Sequence, residues 1–201
     1  DATTAKMRFF FGRAANGPAT AFVRPNNGWG WFWIFDGVMT SEGLYVFLIQ
    51  IDRTSGDTLF GFQVVGTWLG HVANPGESPP LWRMTQSKVP GSTFAAAGGM
   101  LWGSAIMSID DFLYIYGTVE EVDGNVSRKH MILARVPASS LADFSTWRFY
   151  VDGKWVTEYR RASRLSSDIP HEYSVTYLPA LKQYAAVYSE DGLSKNILLR
   201  L

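Results

Sequence analysis

Two carboxylates interrupt stretches of this sequence that otherwise have the character of buried β-strands. Asp36 follows five apolar residues in "WFWIFDGVM", residues 31–39, and Glu172 lies at the start of "HEYSVTYLPALKQYAAVYSEDG", residues 171–192. Carboxyl groups held together in a pocket can act as a proton donor and a proton acceptor. We therefore take Glu172 and Asp36 as the candidate catalytic residues, with Glu172 as the general acid.

Each carboxylate also has an ordinary structural interpretation, which stays open at this point. Asp36 and Gly37 can simply turn the chain, since both residue types favour turns, although a hairpin turn is expected later, at "TSEG", residues 40–43. Glu172 can be a solvent-exposed residue at the start of a strand. Its neighbour His171 fits a hydrogen-bonding or ligand-binding residue better than a catalyst.

Composition and charge exclude several classes of partner. Eighteen basic and eighteen acidic residues cancel among 201, and no like-charge run is longer than two, so we expect no binding of nucleic acid or anionic membrane. There is no cysteine, and the three histidines lack the spacing of metal ligands, so we expect neither a metal nor another cofactor. The longest apolar stretch, residues 44–51, has the length of a strand and not of a membrane span.

Short runs rich in Val, Ile, Tyr, Phe and Trp, bounded by Gly, Asp, Asn, Ser and Pro, predict β-strands almost throughout. The strands also repeat. Tyr45, Tyr114 and Tyr184 each follow an apolar strand and a polar turn, at intervals of 69 and 70 residues. Repeated antiparallel units of about four strands are typical of a β-propeller, in which each blade buries its apolar faces against its neighbours.

The fold class that we predict is all-β, a β-propeller with about three blades and a partial one in this chain. Residues 1–201 would form a single domain, with outer strands of a preceding blade at 1–24, blades at 29–90 and 93–157, and a partial blade at 168–201. Because a propeller needs about four to eight blades to close, we expect another segment or chain to supply the missing strands, with "MRFFFG" and "NILLRL" as contact strands. An open β-sandwich is the alternative.

Counting twelve residues back from the three tyrosines reaches Trp33, Trp102 and Glu172, all on the first and innermost strand of their units. Innermost strands line the central channel of a propeller, so these side chains are expected to face a concave, partly dry pocket. Trp31 lies on the same face as Trp33. We take Trp31, Trp33, Trp102 and His171 as candidate substrate-binding residues, while aromatic packing between blades explains the tryptophans equally well.

Four segments together resemble a known family: "WFWIFDGVM…LYVFL", "WGSAIM…LYIYG", "ILARVPASSLADFSTWRFY" and "HEYSVTYLPALKQYAAVYSEDGLS…ILLR". They resemble a bacterial domain associated with endo-D-arabinanases, which are five-bladed β-propeller glycoside hydrolases, and more distantly the arabinanase and invertase propellers. The resemblance implies a central funnel in which a glutamate from a later blade is the acid and aspartates from earlier blades are base and orienting group. Glu172 would match the acid and Asp36 an earlier aspartate, while the inner strand of the first blade, where such enzymes commonly keep another aspartate, is absent from this sequence.

Two functions follow as hypotheses. The first is a secreted or cell-surface glycoside hydrolase acting on a polysaccharide or oligosaccharide, with a furanose-containing glycan favoured. The second is a non-catalytic propeller module that binds carbohydrate or protein in an extracellular assembly, since a fold alone does not fix a function.

Overall fold

The structure, a computed structural model, describes residues 7–13, 17–54, 61–95, 98–189 and 197–200. Residues 196 and 201 of the expected contact strand "NILLRL" lie outside this description. The described chain is built almost entirely of β-strands: β1 Gly12–Arg13, β2 Ala19–Thr20, β3 Trp31–Thr40, β4 Gly43–Arg53, β5 Phe62–Val72, β6 Met84–Lys88, β7 Phe94–Ala95, β8 Gly98–Ile109, β9 Phe112–Asp123, β10 Val126–Pro137, β11 Arg148–Val151, β12 Lys154–Val156, β13 Ser166–Ser167, β14 Tyr173–Leu178, β15 Gln183–Ser189 and β16 Ile197–Arg200. Four single 3₁₀ turns, Pro79–Leu81, Ala138–Ser140, Phe144–Thr146 and Tyr159–Arg161, are the helical elements of this part of the chain.

The strands form antiparallel sheets that follow one another along the chain. The first sheet has four strands in the order β3-β4-β5-β6, the second runs β12-β11-β10-β9-β8-β7 with β13 paired to β10, and the third has the order β14-β15-β16. Strands β1 and β2 form a separate two-stranded ribbon. Among the described residues no sheet closes on itself, and no helix is long and apolar enough to cross a membrane. The all-β class is therefore confirmed, and the propeller stays a prediction.

The repeat inferred from the tyrosines is present in the strand pairing. Each tyrosine pairs with the residue seven positions before it: Val38 with Tyr45, Met107 with Tyr114, and Tyr177 with Tyr184. The first strands of the three hairpins, β3-β4, β8-β9 and β14-β15, are also neighbours, because β3 packs against β8 and β8 packs against β14. The three hairpins thus present their first strands side by side.

Apolar side chains between the sheets hold this arrangement. Phe47 and Leu69 from the first sheet share one cluster with Trp102 and Ile115 of the second sheet and with Trp147, which directly precedes β11. A second cluster joins the second and third sheets, and its buried members are Ala105, Met131, Ile169, Tyr173 and Tyr188. Full burial of a side chain the size of Phe or Leu stabilises a fold by about 1.5–3 kcal/mol, so these clusters fix the relative positions of β3, β8 and β14.

Two first strands contain β-bulges, which turn local side chains out of the regular alternation. The register of β3 on β4 shifts between Ile34 and Gly37, and that of β8 on β9 shifts between Trp102 and Ala105. Gly103 lies in the second bulge with φ of +92°, and a Cβ atom there would lie 2.0 Å from the Phe47 ring. Both the backbone conformation and the close ring demand glycine at this position.

Candidate functional site

Both predicted carboxylates line one open depression where the first strands meet. Asp36 comes from the bulge of β3, Ser104 from the bulge of β8, and Glu172 from the residue before β14. The depression has a volume of about 380 Å³, and its lining is completed by Ile34, Phe35, Tyr173 and Ser174. Three separate sheets therefore contribute to a single concave surface.

The carboxylate of Asp36 is fixed by two backbone groups. The Gly37 N–H donates to Oδ1 at 2.8 Å, and the Ile106 N–H of β8 donates to Oδ2 at 2.8 Å. Asp36 does not reverse the chain, because β3 continues to Thr40, which pairs with Gly43 across the predicted turn. The side chain links two sheets and retains lone pairs on both oxygens that can accept further hydrogen bonds.

The Glu172 carboxylate is exposed and makes no hydrogen bond or ion pair with any described residue. The sequence predicted a partly dry pocket around Glu172. In the structure, the depression is open to solvent. The carboxylate is consequently free to contact a ligand that enters the depression.

His171 faces the second sheet and does not line the depression. Its Nδ1 lies 2.6 Å from the Thr118 hydroxyl, its Nε2 lies 3.1 Å from Oε2 of Glu120, and the edge of its ring meets Phe94. The hydrogen bond from His171 is the largest of the effects that lower the pKa of Glu120 to about 2. His171 therefore anchors the chain segment that carries Glu172, and this position does not support direct binding of a substrate.

The predicted tryptophans do not come together at the depression. Trp102 is fully buried against Trp147 in the core, so its proposed role in substrate binding does not agree with its position. Trp31 and Trp33 both contact Phe62 edge-on, at 6.3 and 4.9 Å between ring centroids. Trp33 keeps 38% of its surface exposed on the first sheet, and that surface is open to a ligand.

The bulges explain why counting residues from the tyrosines does not give equivalent positions. Trp33 pairs with Ile49, four residues beyond its tyrosine, whereas Trp102 pairs with Gly117, three residues beyond its own. Glu172 precedes the paired part of β14, which begins at Tyr173. Bulges of different size thus separate residues that share one place in the linear repeat.

Sequence reasoning missed Ser104 and Tyr173, both of which line the depression. Ser104 is buried, and the hydroxyl of Tyr173 donates to the Gly117 carbonyl oxygen at 2.8 Å. Burial raises the pKa of Tyr173 above its usual value, so this hydroxyl stays protonated. A signal for Ser104 existed in the sequence, because Gly103 inside an apolar strand indicates a bulge just as Gly37 does.

Within the described ranges, no group of three or more His, Asp or Glu side chains is placed to hold a metal ion. The polar side chains of the lining that are not fully buried are the two carboxylates and Ser174, whereas the hydroxyls of Ser104 and Tyr173 are buried.

Comparisons with known proteins show a family and similar solved structures. The model of a family described as "Domain of unknown function (DUF5005)" matches residues 6–200. No curated protein matches the chain. A solved structure from Bacteroides ovatus, described as a putative hydrolase, superimposes with a TM-score of 0.54 at 17% identity and covers 84% of this chain but 41% of its own. The likeness shows a shared fold, and this chain spans less than half the length of that protein.

Proposed function

The chain belongs to the DUF5005 family, whose function is unknown, and on that premise we propose that it forms part of a glycoside hydrolase acting on a polysaccharide, with a furanose-containing glycan favoured. The observation that carries the proposal is that Asp36 and Glu172, from different sheets, line one open depression. The similar structure from Bacteroides ovatus is described as a putative hydrolase, which supports a hydrolytic reaction.

The proposed scaffold is a β-propeller of the five-bladed type. Sequential antiparallel sheets with neighbouring first strands support it, because propeller blades are arranged in this way around their axis. Closure of the ring then requires strands from another segment or chain. In such a ring the depression would lie on the wall of the central funnel and become more enclosed than it is in this part alone.

In the proposed mechanism Glu172 protonates the leaving oxygen of the glycosidic bond. Its carboxyl group has no partner among the described residues and so can reach a bound sugar. Asp36 is held by two backbone N–H groups, and it would orient a sugar hydroxyl or act as the partner base toward water. With Asp36 as the base, the glycosidic bond breaks as Glu172 gives its proton to the leaving oxygen, and water adds to the sugar carbon as it gives a proton to Asp36. Hydrolysis therefore balances without a cofactor.

A polysaccharide substrate places the proposed activity outside the cell or at the cell surface, because polymers of this kind do not cross a membrane unaided. The neutral net charge of the chain agrees with a neutral glycan as its partner.

A second candidate function is a binding module that cleaves nothing. Exposure of Trp33 (38%) on β3 and of Trp29 (45%) just before that strand favours it, since exposed aromatic rings can stack on sugar rings. In this case Asp36 would serve only as a structural link between β3 and β8.

Incubation of the protein with arabinan, arabinogalactan and fructan, followed by measurement of new reducing ends, separates the two functions. Hydrolysis that is abolished in Glu172→Gln and retained in Glu158→Gln would establish Glu172 as a catalytic group. Glu158 is a matched control because it is also exposed and directly precedes the 3₁₀ turn Tyr159–Arg161, outside the depression. Binding of a glycan without any release of reducing ends, or equal activity in both variants, would refute the enzyme proposal.

A further inference from the structure

Two arginines lie directly opposite one another on neighbouring strands of the second sheet. Arg135 of β10 pairs with Arg148 of β11, so both side chains project from the same face. Like charges in directly opposite positions destabilise a sheet unless something neutralises them. Among the described residues, no carboxylate lies within 4.0 Å of either guanidinium.

The guanidinium of Arg135 makes no hydrogen bond to a described residue and is held by contacts with aromatic rings. It lies between two aromatic rings, 4.7 Å from the centroid of Phe112 and 4.4 Å from that of Trp155. Its Nε is buried and has no acceptor, and no described residue accepts from its other nitrogens. Arginine carries five N–H donors in a rigid fork, so this side chain is unusual in being fixed by stacking while its donors stay unused.

Arg148 is positioned by the backbone of the preceding turn. Its Nη1 donates to the carbonyl oxygens of Ser145 and Trp147, at 2.9 and 2.8 Å. These contacts leave Nε and Nη2 of Arg148 available. Asp143 forms no ion pair with either arginine, and its carboxylate accepts from the Ser145 N–H and hydroxyl.

Both arginines line one depression of about 450 Å³, together with Phe112, Pro137, Ser145 and Thr146. The hydroxyl protons of Ser145 and Thr146 are directed to Asp143, so the two guanidinium groups are the free donors of this surface. A planar fork of N–H groups matches an acceptor with two or more oxygens on one centre.

We propose that Arg135 and Arg148 form a binding site for a small oxyanion, namely a sulfate, phosphate or carboxylate group, either free or carried on a saccharide. The oxyanion neutralises the two opposed charges and accepts from the donors that the protein leaves unused. The site is separate from the depression that contains Asp36 and Glu172 and does not depend on the proposed hydrolase activity.

The test is a titration with sodium sulfate and with sodium phosphate at constant ionic strength, followed through the arginine Nε–H resonances in NMR spectra. We expect saturable shifts of two arginine resonances. Arg135→Met, which keeps an unbranched apolar stem between the rings, and Arg148→Gln should each weaken binding by about tenfold or more, since one charge-assisted contact is lost. Arg83→Gln is the matched control, because this substitution removes the same charge and Arg83 is exposed and does not line this depression.

If Arg135→Met does not fold, as judged by circular dichroism, Arg148→Gln carries the test alone. A parallel titration with glucuronate and glucose 6-sulfate identifies the source: tighter binding than inorganic sulfate assigns the group to a saccharide, and equal binding assigns it to a free ion. Resonance shifts that do not saturate would overturn the proposal. So would an equal loss of binding affinity in Arg83→Gln and in the variants of the two site arginines.

Discussion

Replacement of Asp36 by alanine is expected to lower the free energy of unfolding by about 2–3 kcal/mol. The carboxylate accepts one hydrogen bond from Ile106 N–H on the neighbouring sheet and one from the adjacent Gly37 N–H. A hydrogen bond to a charged group contributes about 1.5–3 kcal/mol, and a local, more exposed one about 0.5–1 kcal/mol. Water can enter the open depression and satisfy part of the freed Ile106 N–H, which keeps the total below the sum of both upper values.

Urea unfolding followed by tryptophan fluorescence measures this change as a shift of the midpoint at constant slope. With a slope of about 2–3 kcal/mol per molar for a chain of this size, the midpoint should fall by about 1 M. Asp111→Ala is the control, because Asp111 is exposed and its side chain makes no hydrogen bond to any described residue, so its effect should stay within about 0.5 kcal/mol. An equal midpoint for Asp36→Ala and Asp111→Ala would refute the role of Asp36 as a link between sheets.

Three further outcomes are expected. Gly103→Ala should lower the free energy of unfolding by more than about 3 kcal/mol, since the new Cβ would overlap the Phe47 ring. Gly124→Ala is the control: Gly124 has φ of +59° but lies in open space, so this change should cost only about 1 kcal/mol. Thermal or urea unfolding measures both, and equal losses would contradict the packing argument. The pKa of Glu120 falls from 4.5 to about 2 on folding, so the ionised carboxylate stabilises the fold, by on the order of 2 kcal/mol. This contribution is complete above about pH 5 and is lost as the pH falls toward 2. In urea unfolding at different pH values, Glu120→Gln should remove this part of the pH dependence and Glu158→Gln should not; an unchanged dependence of stability on pH in Glu120→Gln would exclude the role of Glu120. The exposed apolar residues of the third sheet should make the chain associate with itself or with a partner that completes the fold, and a monodisperse 22.4 kDa monomer in light scattering would count against it.

Local pattern was sufficient to predict the strands and their repeat. Alternating apolar residues and polar turns specify hairpins through contacts between neighbours in sequence, which is why Tyr45, Tyr114 and Tyr184 occupy matching pairs in the structure. The choice of Asp36 as an interruption of a strand also came from this pattern. Its position beside Gly37 marks a place where the strand departs from regular pairing.

The composition of the depression depended on distances that the linear sequence does not contain. Trp33, Trp102 and Glu172 hold one place in the repeat, yet bulges of different size give Trp33 and Trp102 different partners, Trp102 is buried in the core, and Glu172 precedes the paired part of β14. Ser104 joins the carboxylates only because a bulge in β8 turns it toward β3.

The sequence by itself determined an all-β chain with a repeated hairpin and two carboxylates out of place in apolar strands, because these properties depend on side-chain type and spacing along the chain. Tertiary structure alone decided that Asp36 accepts from Ile106, that His171 is held by Thr118 and Glu120, and that Arg135 lies between two rings with no acceptor among the described residues. Each of these contacts joins residues that are distant in sequence. Their meeting is set by how the sheets pack on one another, which no local pattern specifies.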